Sequence, residues 1–120
     1  MSKNANKSKG DRAEREAADL LNSLLPERFL PVRRALGAGR NNAAGGDVGD
    51  LVSGIPDHVF QVKSWSDERS AVIRGPRDAE QQATNAGKAY AATLIRFRGG
   101  AWRVVLTPEQ FVEYIKQIYQ

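Results

Sequence analysis

At 120 residues the chain has room for one domain with a real core and not for two comfortable ones. A hydrophobic fraction of 41% with 27% charged residues is soluble, globular usage, and the absence of cysteine excludes disulfides and thiolate metal sites. No apolar run is long enough to span a membrane, and "MSKNANKSKG" lacks the apolar core of a signal peptide, so no membrane association and a cytoplasmic location are expected (the host cytoplasm, if a phage encodes it). The net charge of +4 is unevenly placed: Lys3, Lys7 and Lys9 precede the first acid, Asp11, and Arg28, Arg33, Arg34 and Arg40 occur with no acid between Arg28 and Asp47. Such a one-sided basic excess suits a polyanion, although a solubilising surface has the same composition.

Residues 1–9 are polar and aperiodic and read as a disordered basic arm ahead of a single domain over 10–120. From Asp11 to about Leu25 the spacing of Ala17, Ala18, Leu21, Leu24 and Leu25 predicts a helix stopped by Pro26. Glu14 falls in line with that stripe, so one acid of the helix points inward. "RFLPVRRAL" (28–36) reads as a first strand, "GAGRNNAAGG" (37–46) as a flexible loop, and "DLVS" with "HVFQVKSW" as two strands around the turn "GIPD". "SDERSAVIRGP" reads as an irregular connection before a helix from about Pro76 to Tyr90, with Ala79, Ala83, Ala86 and Tyr90 on one face. "AATLIRFR" and "AWRVVLT" are strands joined at Gly99-Gly100. "TPEQ" opens the last helix as a capping box with Thr107 as N-cap, and Phe111, Ile115 and Ile118 supply its expected buried face. The order α-β-β-β-α-β-β-α predicts an α/β (α+β) domain: a small mixed sheet flanked by helices.

The hairpin carries the chemistry. With Gly54 to Asp57 in the turn, Asp50 lies opposite Gln61, while Gln61 and Lys63 share one face and Phe60 and Val62 the other. A carboxylate, an amide oxygen and a second carboxylate, for which Glu14 is available, are hard ligands suited to Mg²⁺. A nearby ammonium can orient water or stabilise charge on a phosphate. The bland alternative makes Gln61 and Lys63 ordinary polar residues of an edge strand. His58 reads as a turn or surface residue without chemistry, and Trp65 and Trp102 as packing residues.

Three segments resemble the motifs of the PD-(D/E)XK nuclease superfamily, and within it the small archaeal-type and phage Holliday junction resolvases. Gly10-Asp11-Arg12-Ala13-Glu14-Arg15 is similar to the first motif, Gly49-Asp50-Leu51 to the second, and Gln61-Val62-Lys63 to the third, Glu-x-Lys. The resemblance covers about residues 10–106 and implies a restriction-endonuclease-like core. It also implies catalytic residues Glu14, Asp50, Gln61 and Lys63, with Glu14, Asp50 and Gln61 as metal ligands for Mg²⁺ or substituting Mn²⁺. Gln81 or Gln82 stands where some branches carry a further glutamine.

This sequence departs from the family at Gln61, where the acid is an amide. Gly46-Asp47-Val48 competes for the second motif and makes Asp47 the alternative ligand. The implied function is Mg²⁺-dependent cleavage of branched DNA, most of all four-way junctions, by a homodimer able to make two coordinated cuts. Arg15, Arg33, Arg34, Arg40, Lys7 and Lys9 are the expected DNA contacts. The alternatives are a restriction-like or nicking enzyme of the same superfamily, and a DNA-binding module whose nuclease site has decayed.

Overall fold

The computed structural model describes residues 3–35, 41–42, 46–47, 49–64 and 68–120, with side chains for 10–35, 49–64 and 68–120. Helix α1 (Lys3–Leu24) is followed by a single 3-10 turn (Glu27–Phe29), then strands β1 (Arg33–Arg34), β2 (Asn41–Asn42), β3 (Gly46–Asp47), β4 (Leu51–Val52) and β5 (His58–Lys63). Helix α2 (Glu68–Ala86), strands β6 (Tyr90–Arg96) and β7 (Trp102–Val105) and helix α3 (Pro108–Ile118) complete the chain. A five-stranded mixed sheet runs in the order β1-β4-β5-β6-β7, and β2 and β3 form a separate two-stranded sheet. β5 and β6 are parallel, joined by α2, and the other pairs of the main sheet are antiparallel.

The period-two alternation of β5 decides the layers. Phe60 and Val62 join Ala13, Ala17 and Ala18 of α1 with Leu51, Ala92 and Leu94 in one core. Val59 on the other face packs with Ala91 and with Ala79 and Ala83 of α2. Both faces of β5 and β6 are therefore covered, as a parallel pair with a helical crossover requires. Small residues on both helices let them lie close to the sheet. At Gly75 of α2 an added Cβ would stand 2.6 Å from Cγ2 of the fully buried Thr93.

Several elements differ from expectation. α1 begins at Lys3, well before Asp11, because no proline interrupts the segment and Gly10 is tolerated on an exposed face. The first strand shrinks to Arg33–Arg34, and the loop over 37–46 contains β2 and the start of β3. α2 starts at Glu68, in the segment expected to be irregular, and carries Pro76 in its interior. A proline there removes a helical donor and normally breaks the helix. Here Pro76 is buried, and its carbonyl accepts a hydrogen bond from Gln110 Nε2 of α3 at 3.2 Å. Tyr90, expected on the second helix, opens β6 instead. Trp65 lies outside the described residues, whereas Trp102 packs on the α1-side core.

α3 keeps the expected capping box: Thr107 Oγ1 accepts from the Gln110 amide and Gln110 Oε1 accepts from the Thr107 amide. Its inner face is not the expected one. Phe111 and Ile118 are exposed, and the contacts inward are made by Gln110 and Tyr114. His58 Nδ1 donates to the Pro56 carbonyl at 2.8 Å, which in the neutral ring leaves Nε2 to accept from the Tyr114 hydroxyl at 2.9 Å. Tyr114 also stacks on Tyr90. His58, expected to be a turn or surface residue, thus ties β5 to α3.

Burial, and then the neighbouring Tyr90, push the Tyr114 hydroxyl above its usual 10.0. The folded state holds this proton longer than the unfolded chain does. The associated stability is intact below pH 10.0 and is lost as pH rises through the folded value. Tyr114→Phe should lower stability by about 1 kcal/mol at neutral pH and remove part of the alkaline loss. Thermal melts of both proteins from pH 7 upward check this, and parallel curves at alkaline pH would contradict it.

Candidate functional site

The site forms where the β4–β5 hairpin opens. Leu51 pairs with Phe60, as the turn length predicts, and Asp50 and Gln61 follow them on the two arms. The backbone then leaves regular pairing. The Asp50 amide donates to the Phe60 carbonyl at 2.7 Å, and Asp50 Oδ2 accepts the Val62 amide at 2.8 Å. A side-chain carboxylate thus takes the place of a strand carbonyl. On its other side the Asp50 carbonyl accepts the Ala35 amide at 3.0 Å, so the residue is held between β5 and the segment after β1.

Gly49 makes this possible. At φ +101° it occupies backbone space that L side chains avoid, and an added Cβ would stand 2.9 Å from both the Phe60 carbonyl oxygen and Val59 Cγ1. Asp50 is 5% exposed, so its charge sits in a largely desolvated place.

Gln61 is 7% exposed and faces α2, on the same side as Val59. Its Oε1 is buried with no hydrogen-bond partner among the described residues, as is Oγ1 of Thr93, the residue beside it on β6. A buried amide oxygen left without a donor costs about 1–3 kcal/mol, so this orphan is a place that a cation or a water can complete. Lys63, on the same face, places Nζ 3.1 Å from Asp78 Oδ2 of α2. Of the two candidate glutamines of α2, Gln82 is buried among the sheet-facing residues. Gln81 is exposed and donates to Asn85 Oδ1 at 3.0 Å.

Glu14 is buried as its register predicts, at 7% exposure, but on the α1 side of the sheet. Its Oε1 accepts from Arg34 Nε at 3.1 Å, and Arg34 Nη2 reaches Asp11 Oδ1 at 2.8 Å. The four expected catalytic residues do not share one face: Gln61 and Lys63 face α2, the Asp50 carboxylate is tied to the Val62 amide, and Glu14 comes from the opposite layer with Arg34 as a partner.

Arg34, expected to meet DNA, is engaged in these two ion pairs. Arg15 and Arg33 are exposed, while Arg40 and the side chains of Lys7, Lys9 and Asp47 lie outside the described residues. The backbone of Asp47 belongs to β3, which packs against α2.

Among the described residues no three His, Cys, Asp or Glu side chains gather to hold a metal ion. Asp50 and Gln61 offer oxygens of the hard kind, and Mg²⁺ commonly takes one or two protein oxygens and keeps its waters. A groove of about 780 Å³ lies apart from this opening, between α2 and α3, lined by Arg74, Arg77, Asp78, Lys88, Glu109 and Glu113 among others. Neither Asp50 nor Gln61 lines it, and its mixed charges mark no single ligand class. Asp78 and Gly75 were not legible as site residues, because the sequence reading started the helix after Gly75 and assigned Asp78 no partner.

Compared with known proteins, the chain matches no family model, no curated protein and no solved structure.

Arg34 and Arg33 are adjacent basic residues with different expected consequences. Arg34→Met should destabilise the fold by about 1–3 kcal/mol, because the buried Glu14 carboxylate loses a charged donor. Arg33→Met should be nearly neutral for stability. Urea melts of the two variants give the comparison, and equal effects would contradict it.

Proposed function

We propose that the chain is a Mg²⁺-dependent endodeoxyribonuclease with a restriction-endonuclease-like core, acting on branched DNA and above all on four-way junctions. The observation that carries the reading is the Gln61 amide oxygen, buried without a partner among the described residues, on the strand whose Val62 amide is held by the Asp50 carboxylate. The order of α1, the β4–β5 hairpin and the parallel β5-α2-β6 crossover supports it, as do the motif resemblances. A bound Mg²⁺ would polarise the scissile phosphate and lower the pKa of an attacking water.

The protein's own residues have separate tasks. Asp50 supplies the anionic oxygen and Gln61 the neutral one. Lys63 places an ammonium where charge develops on the phosphate. Glu14 enters on the resemblance alone, because the contact described for it is with Arg34. Exposed Arg15 and Arg33 can neutralise DNA phosphates without reading sequence, which fits a substrate recognised by shape. We include a homodimer and a cytoplasmic location in the proposal. α3 leaves Phe111, Val112, Ile118 and Tyr119 exposed, a patch suited to a second copy and to two cuts made across a two-fold axis. No helix among the described residues is long and apolar enough to cross a membrane.

Labelled four-way junction, duplex and single-stranded DNA incubated with protein and Mg²⁺ test the proposal. Cleavage of the junction ahead of the other two is expected. Duplex cutting alone would favour a restriction-like enzyme, and junction binding without cleavage a decayed module.

Asp50→Asn should keep the fold, because its amide oxygen can still accept the Val62 amide, yet lower cleavage roughly a hundredfold or more with DNA binding preserved. Gln61→Glu should retain or strengthen Mg²⁺ dependence, whereas Gln61→Ala should be much slower. Wild-type cleavage by Asp50→Asn or Gln61→Ala would remove that residue from the metal site.

A further inference from the structure

Lys63 is held by α2 at two points one helical turn apart. Its stem runs beneath Gly75, where an added Cβ would stand 3.6 Å from Lys63 Cγ, and its ammonium lies 3.1 Å from Asp78 Oδ2. The two partners differ in exposure: the Lys63 side chain is 12% exposed and that of Asp78 is 51% exposed. An ion pair with one half-exposed member contributes little to stability, so its value lies elsewhere. A lysine on a flexible stem carries much rotamer entropy, and confining its charged end before substrate arrives removes part of that cost from the reaction. The turn that provides Asp78 is itself fixed, since Gln110 of α3 donates to the Pro76 carbonyl within it.

We propose that Asp78 is the positioning residue for Lys63, confining the ammonium to one place beside α2 before substrate arrives. The proposal rests on the nuclease reading, in which Lys63 acts with Asp50 and Gln61. Asp78 touches neither substrate nor metal, and it acts through the orientation of Lys63.

The test compares wild type, Asp78→Asn and Asp78→Glu in single-turnover cleavage of the preferred DNA, in DNA binding and in the ¹⁵N-detected ammonium signal of Lys63. Asp78→Asn is expected to cleave about tenfold more slowly or worse, with DNA affinity within about twofold of wild type. Its Lys63 ammonium signal should broaden or vanish through faster exchange. Asp78→Glu is expected to restore most of the rate and the signal, which a merely structural role would not require. Because Asp78 is half exposed, the Asn variant should melt close to wild type.

Wild-type cleavage by Asp78→Asn overturns the proposal. So does tighter DNA binding with faster cleavage, which would make Asp78 a competitor of phosphate for Lys63. If the wild type cuts no DNA at all, the nuclease reading fails and takes the proposal with it, whereas a failure confined to Asp78→Asn leaves the nuclease reading standing.

Discussion

A single hydrogen bond, from the Val62 amide to the Asp50 carboxylate, organises the centre of this protein. β5 is the middle strand of the sheet and is covered on both faces, so an unpaired amide there would be expensive. Closing the ladder with a side chain instead of a carbonyl satisfies Val62 while the neighbouring backbone turns away. It also sets an anionic group beside Gln61, at 5% and 7% exposure respectively. The strand geometry and the candidate chemistry are thus the same feature. Gly49 is what allows the chain to approach β5 closely enough for it.

The layers extend this constraint in two directions. On one side, α1 brings Glu14 to the sheet, and Arg34 from β1 pairs with it, adding to the Glu16–Arg96 ion pair and the apolar core between the layers. On the other side, α2 lies close enough at Gly75 to enclose the Lys63 stem, and Asp78 receives the ammonium. α3 reinforces α2 through Gln110 and reaches the start of β5 through Tyr114 and His58. These polar ties explain why α3 turns Gln110 and Tyr114 inward and leaves Phe111 and Ile118 at the surface.

What the sequence revealed follows the range of the interactions concerned. The alternation in "HVFQVK" is local, so the two faces of β5 were legible, as was the Thr107 capping box. The burial of Glu14 followed from its place on the apolar stripe. Its pairing with Arg34 did not, because the two are twenty residues apart and joined only by the packing of α1 on the sheet. Pro76 and Gly75 together read as a helix boundary. The helix nevertheless runs through them, with Gly75 in close approach to Thr93 and the Pro76 carbonyl accepting from Gln110. The hydrophobic pattern of α3 correctly signalled a helix, but the inward face was decided by hydrogen bonds and aromatic stacking, which periodicity does not record.

The central claim is that Asp50 and Gln61 together form a divalent-cation site, and paramagnetic broadening by Mn²⁺ tests it without any DNA substrate. Substoichiometric Mn²⁺ added to ¹⁵N-labelled protein should broaden the Gln61 side-chain amide and the Val62 backbone amide first. Excess Mg²⁺ should reverse the effect, and Asp50→Asn should abolish it. Broadening centred elsewhere, for example on Glu109 and Glu113 of α3, or no localised broadening at all, would contradict the account.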